Sequence, residues 1–228
     1  MKTLWKFDLE INGENDERKP QKIEWLLKLA KTAIDIQDWD SAHELLHRAS
    51  ACAQGKLELA NLYLNPAAQI GIPFPERKKL GCKLLWELVN VDGEFATAAC
   101  LALVPLYQHT KPLTGIALRL KADRLRKLRD PQIIQQVLKH IQHLPINTVE
   151  NDTYGAYLLA CELECYDNTN IQIIQYLYQV AADAEKCPVF GVAALRLAEY
   201  LEQDEPAIAQ KYYYLAKKNG FPAILARN

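Results

Sequence analysis

The sequence predicts an all-α fold, a stack of about five antiparallel helix pairs with a short extended arm at its N-terminus. Three observations predict it. Apolar residues return at three and four positions through nearly everything after residue 20, the spacing of one helix face. The segments that show this spacing are short and closely linked, which favours antiparallel neighbours. One column of residues also recurs along the chain at the length of a helix pair.

The arm comes first. Trp5, Phe7, Leu9 and Ile11 alternate with Lys6, Asp8 and Glu10, a period of two that fits a half-buried strand, and Asn12-Gly13 follows as a turn signal. A lone strand must bond its backbone groups somewhere. Residues 1–20 therefore read in two ways. They are an arm laying its aromatics on the first helices, or a strand added to a partner's sheet or to a second copy. Trp5 and Phe7 are its candidate contacts in either case.

Residues 21–228 read as a single helical-repeat domain. Helical stretches are expected over 21–36, 39–54, 56–65, 76–92, 95–108, 113–129, 131–143, 152–166, 170–186, 188–202, 205–219 and a short 222–227. Gly55, Gly93 and Gly220 follow helices, where a left-handed residue is easiest for glycine. Pro75, Pro112, Pro131, Pro188 and Pro206 stand before or in first turns, where the missing N–H costs nothing.

The repeat starts from a small or branched anchor, with apolar residues three, four and seven places on. Ala42 is followed by Leu45, Leu46 and Ala49, and Gly81 by Leu84, Leu85 and Leu88. Ile134 leads to Val137, Leu138 and Ile141, Ile174 to Leu177, Tyr178 and Ala181, and Ala209 to Tyr212, Tyr213 and Ala216. Anchors lie 39, 53, 40 and 35 residues apart, and each anchored helix is the second of a pair. First helices repeat as well: LELANLYL at 57–64 matches LRLAEYL at 195–201, with LLACEL at 158–163 a looser copy. The long gap holds an additional helix, Thr114 to Arg129, so the middle unit, about 95–145, is irregular.

These columns resemble the Sel1-like branch of the tetratricopeptide superfamily. The first-helix L-A-x-L-Y appears as Leu59-Ala60-Asn61-Leu62-Tyr63. The second-helix pattern of a small residue, an aromatic, a small residue and glycine appears as Ala209, Tyr212, Ala216 and Gly220. The link at 71–86, GIPFPERKKLGCKLLW, is similar to the family's loop into an aromatic-bearing helix. Leu88 and Cys187 depart from the small and glycine positions. The resemblance covers about residues 21–222 and implies a right-handed α-solenoid that binds other proteins on its concave face.

Composition narrows the function classes. Half of the residues are apolar, and 27 basic side chains nearly balance 28 acidic ones, so net charge draws the chain neither to nucleic acid nor to an acidic membrane. The longest nearly apolar stretch, Phe95 to Tyr107, is too short to span a bilayer. Acidic residues arrive by position 8, before a signal-peptide core forms. A cytoplasmic protein is the expectation, with six cysteines, at 52, 82, 100, 161, 165 and 187, kept as reduced apolar fillers.

Chemistry-bearing motifs are few. HELLH at 43–47 fits H-E-x-x-H, which in zinc peptidases sets two imidazoles on one helix face with the glutamate as general base. Leu45, Leu46 and Ala49 are already the repeat's core columns, and no third ligand follows at a recognised spacing. A metal-dependent hydrolase using His43, Glu44 and His47 is the runner-up reading. His140 and His143 read as two exposed polar residues. No G-x-S-x-G, phosphate-loop or dinucleotide fingerprint occurs, and no cofactor is expected.

Basic residues crowd the middle helix: Arg119, Lys121, Arg124, Arg126, Lys127 and Arg129. They read as a solvated face or as a footprint for an acidic partner, and the lack of interleaved aromatics disfavours nucleic acid. Trp86 and Tyr214 occupy one repeat column as packing plugs or contacts. The expected partner surface thus includes Trp5, Phe7, Trp86, Arg119, Arg124, Arg126 and Tyr214. The expected function is non-catalytic binding of one protein partner, as an adaptor or scaffold in an assembly or as an immunity-type inhibitor of a toxin.

Overall fold

The structure, a computed structural model, describes residues 19–91, 93–128, 130–166 and 170–221. The N-terminal arm with Trp5 and Phe7, Arg129 and the expected helix at 222–227 lie outside the described residues. The fold is all-α. Twelve helices and no strand occur among the described residues, and consecutive helices pack against one another as in an α-solenoid. Two compact units divide the chain at Leu88/Val89.

The first unit holds α1 (Lys19–Asp35), α2 (Trp39–Ala49), α3 (Ala53–Leu64) and α4 (Phe74–Val89), whose last residue marks the boundary. Helix α1 ends on Gln37, whose φ of 59° is left-handed, and the Asp38 N–H reaches back to the Ala33 carbonyl at 2.8 Å. That six-to-one bond satisfies a carbonyl the helix end would otherwise strand. Asp38 then turns donor-catcher and caps α2, accepting from the Ser41 N–H at 3.2 Å. Buried Ala42 and Leu46 of α2 meet Leu59, Leu62 and Tyr63 of α3 in one core, and Ala49 is buried as well. The repeat column thus faces inward, as the period demands.

Gly55 does not end a helix. Helix α2 stops at Ala49, and Gly55 sits buried in the first turn of α3, where an added Cβ would lie 2.1 Å from the Ala49 carbonyl oxygen. It is glycine because a backbone passes against it, not because the chain turns left-handed there. Gly93 likewise precedes a helix rather than closing one. Gly220 does close one, with φ of 80° and the Phe221 N–H bonded back to the Ala216 carbonyl.

The second unit holds α5 (Glu94–Tyr107), α6 (Pro112–Leu125), α7 (Pro131–His143), the short α8 (Ile146–Glu150), α9 (Thr153–Glu164), α10 (Ile171–Ala182), α11 (Phe190–Leu201) and α12 (Pro206–Lys218). Helix α6, read from the sequence as an addition to the stack, packs between α5 and α9. Asp152, 1% exposed, explains its place. Its carboxylate accepts from the Thr114 N–H at 2.8 Å, the Thr114 hydroxyl at 2.7 Å and the Gly155 N–H at 3.2 Å. One carboxylate therefore serves the first turns of both α6 and α9. Near the other ends, the Arg124 guanidinium donates twice to the Glu162 carboxylate, at 2.8 and 3.1 Å. Start meets start and end meets end, so α6 and α9 run parallel, with α7 and α8 between them in sequence. The core continues through Leu159, Leu163, Leu177, Tyr178, Leu197 and Tyr212.

Candidate protein-docking face

The helical period puts Tyr157, Cys161 and Glu164 on one side of α9, at positions i, i+4 and i+7. It puts Arg196 and Tyr200 together on α11 in the same way. Residues between them, such as Leu159, Ala160, Leu163, Leu197 and Ala198, are buried and fix both helices in rotation. The two polar rows then meet. Arg196 Nη2 donates to both Glu164 carboxylate oxygens at 2.9 Å, and Arg196 Nη1 donates to Glu199 Oε2 at 2.7 Å. The Tyr200 hydroxyl donates to Glu164 Oε1 at 2.9 Å.

Tyr178 of α10 lies beneath this network, fully buried. Its ring centre is 6.1 Å from that of Tyr157 on one side and 6.1 Å from that of Tyr200 on the other, both tilted. Such spacing is favourable for aromatic pairs beyond the area they bury. The Tyr178 hydroxyl and Cys161 Sγ share a bond at 3.5 Å. A buried ring thus supports two half-exposed rings, and an ion pair locks the rim.

Burial governs the titration of these groups. It pushes the Tyr178 and Tyr157 phenols far above their usual range, with Cys161 beside both adding to the shift. Tyr200 is pushed up to about 12 by burial and then by its bond to the Glu164 carboxylate. The Arg196 guanidinium is raised chiefly by its bonds to Glu164. Burial also raises Cys161 and Cys165, so neither is the low-pKa thiol of a nucleophile. The face carries charge in Glu164, Arg196 and Glu199 and otherwise offers neutral rings.

The residues expected from sequence fall on separate elements. Trp86 is half-buried in α4, and Tyr214 is 68% exposed on α12. Arg119 bonds Asp123 one turn away at 3.3 Å, Arg124 is bound to Glu162, and Arg126 is exposed at the end of α6. The basic helix is thus no uniformly solvated face, because one of its arginines ties two helices together. In the first unit His43 and His47 stand with ring centres 6.1 Å apart, and His43 Nε2 shares a 3.0 Å hydrogen bond with the Tyr63 hydroxyl of α3. Glu44 is exposed. Among the described residues no three His, Cys, Asp or Glu side chains gather closely enough to hold a metal ion. His143 Nδ1 bonds the Lys139 carbonyl of its own helix at 2.6 Å.

Sequence reading missed Tyr157, Glu164, Arg196, Glu199 and Tyr200. A signal was present. Glu164 and Arg196 are opposite charges 32 residues apart, close to one repeat length, and each has an aromatic residue one or two turns away on the same helix face. These polar positions lie between the core residues of first helices, so the apolar repeat columns do not mark them.

Comparison of the chain with protein-family models, curated proteins and solved structures finds no match in any of the three. No described helix is long and apolar enough to cross a membrane.

Proposed function

We propose that the protein is a non-catalytic binding module. It holds one protein partner on the face that first helices of its pairs present, as an adaptor or scaffold or as an immunity-type inhibitor that occludes a toxin. The Sel1-like resemblance of the repeat columns and a cytoplasmic setting belong to this proposal. The observation that carries it is the Glu164–Arg196–Tyr200 network. Arg196 remains 42% exposed although its guanidinium is held by two carboxylates, and Tyr200 stands beside it with its hydroxyl already bonded. Arginine and tyrosine are the residues that most often dominate binding energy at interfaces. Holding them in one geometry before docking reduces the ordering entropy lost on association.

The test is affinity capture from the native host's lysate with the full chain as bait, read by mass spectrometry at low and high salt. One stoichiometric partner is expected, and its own activity separates inhibitor from adaptor. A bait lane empty at both salt concentrations overturns the proposal.

A further inference from the structure

We infer that the face carried by α9 and α11 accepts a cationic, partly apolar segment of the partner protein, an Arg or Lys side chain flanked by apolar residues. This inference rests on the binding-module reading. The charge of the face points to it. Two carboxylates, Glu164 and Glu199, surround a single guanidinium, and that guanidinium is engaged through both Nη atoms. An acidic partner would have to break those bonds to reach Arg196. A cationic one meets the carboxylate charge left over, since the side chain of Glu199 is 45% exposed. Glu202 extends the same sign and lies within electrostatic reach of Tyr213, as Glu199 does.

The surroundings amplify the local sign. Residues 151–205 contain ten acidic side chains against two basic ones, whereas residues 106–145 contain eight basic against two acidic. The acidic stretch includes both helices that carry the tyrosine rings. Such a one-sign field raises the local concentration of opposite charge and speeds encounter. Half-buried Tyr157 and Tyr200 supply ring faces to which an ammonium or guanidinium is drawn. Leu158 of α9 and Leu195 of α11 are half-buried as well, and they offer apolar contact beside the charge. Carboxylates, aromatic rings and apolar edges together are the chemistry of cation recognition. The basic end of α6 offers no comparable set, since Arg119 and Arg124 are directed to carboxylates of their own unit.

Two short fluorescein-labelled peptides with identical Leu and Phe positions test this, one carrying Arg and Lys at its polar positions and the other Glu and Asp. Fluorescence anisotropy is read on the full chain, on Glu199→Lys/Glu202→Lys and on Glu150→Lys/Glu185→Lys. The second variant makes the same charge change at exposed sites outside the face. Circular dichroism melts confirm that both variants fold. The cationic peptide is expected to bind roughly tenfold or more tightly than the acidic one. Reversal at 199 and 202 should remove that preference, and reversal at 150 and 185 should leave most of it. Equal affinity for the two peptides, or equal loss in the two variants, overturns the inference, the latter by reducing it to net charge. Lysate capture separates the two levels. A partner retained undiminished by Glu199→Lys/Glu202→Lys sinks the cationic segment and leaves the binding module standing. No partner for the unaltered chain sinks both.

Discussion

In the N-terminal unit the described polar ties between helices lie partly in solvent, whereas in the C-terminal unit the ties that join α6 to α9 are largely buried. Lys56 of α3 reaches Glu87 of α4 at 2.8 Å, with side chains 33% and 40% exposed. His43 and Tyr63 join α2 to α3 by one bond at half-buried depth. Buried Arg77 donates to the Asn65 carbonyl and so fastens the loop before α4 rather than a second helix. The C-terminal unit instead buries three carboxylates, those of Asp123, Asp152 and Glu162. The difference follows from connectivity. Where sequential helices pack, a short link already sets their register. Helices α6 and α9 have α7 and α8 between them, so no short link aligns them. Asp152 and Glu162 align them instead, one near each end.

That contrast can be broken. The largest effect is expected for Asp152→Ala, which strands the Thr114 and Gly155 N–H groups and removes the cap of α9. Hydrogen bonds to a buried charge and a lost cap together cost about 3–5 kcal/mol. Denaturant unfolding of the full chain checks it, and a loss below about 1 kcal/mol would mean that the carboxylate does not set the register. Glu162→Ala comes next. It leaves the Arg124 guanidinium without its main partner, but that side chain is 22% exposed and water relieves part of the cost. About 2–3 kcal/mol is expected. Arg124→Leu/Glu162→Leu should recover most of it, because an apolar pair replaces a buried ion pair with little penalty. Failure of that recovery would show that the pair, and not merely its burial, is needed.

The contrasting change in the first unit is Lys56→Ala. An exposed pair of this kind contributes about 0.2–1 kcal/mol and is screened by salt. Its loss should therefore shrink toward zero in high salt, while the Asp152→Ala deficit persists. If both deficits responded to salt equally, the distinction between rim and interior ties would collapse.

Sequence reading reached the helices because their burial is periodic. Ala42, Leu46 and Ala49 in α2 and Ala209, Tyr212 and Ala216 in α12 are buried in the register read from the repeat. It lost the boundaries where a polar residue substitutes for a signal residue. Gln37 and Lys127 take left-handed φ values of 59° and 60°, positions where glycine was the cue, and Gly55 serves close packing instead. The helix at 146–150 was missed because five residues carry no period. The place of α6 between α5 and α9 was not legible for a deeper reason. Asp152 and Glu162 look like surface residues in a one-dimensional pattern, and only the third dimension brings Thr114 and Arg124 to them. The residues of the candidate face hide in the same way, since Glu164 and Arg196 belong to helices 26 residues apart from end to start and acquire meaning as a pair.

The smallest predicted effect concerns acid. Burial, then the charge of His47, holds the His43 imidazole below its ordinary range, and Asp40 opposes this only in part. The groups that face it are His47 and Asp40 from α2 and the Tyr63 hydroxyl from α3. A histidine whose pKa is lower in the folded state binds fewer protons there than in the unfolded chain. Stability therefore falls as pH drops from about 6.5, the unfolded value, through the lower folded value. His43 is only half-buried, so the loss is small. His43→Gln keeps a polar partner for Tyr63 and removes the titration. Melting temperatures of the two forms should diverge below neutral pH, with the variant less sensitive to acid. Parallel curves would place the acid sensitivity in carboxylates rather than in this bond between α2 and α3.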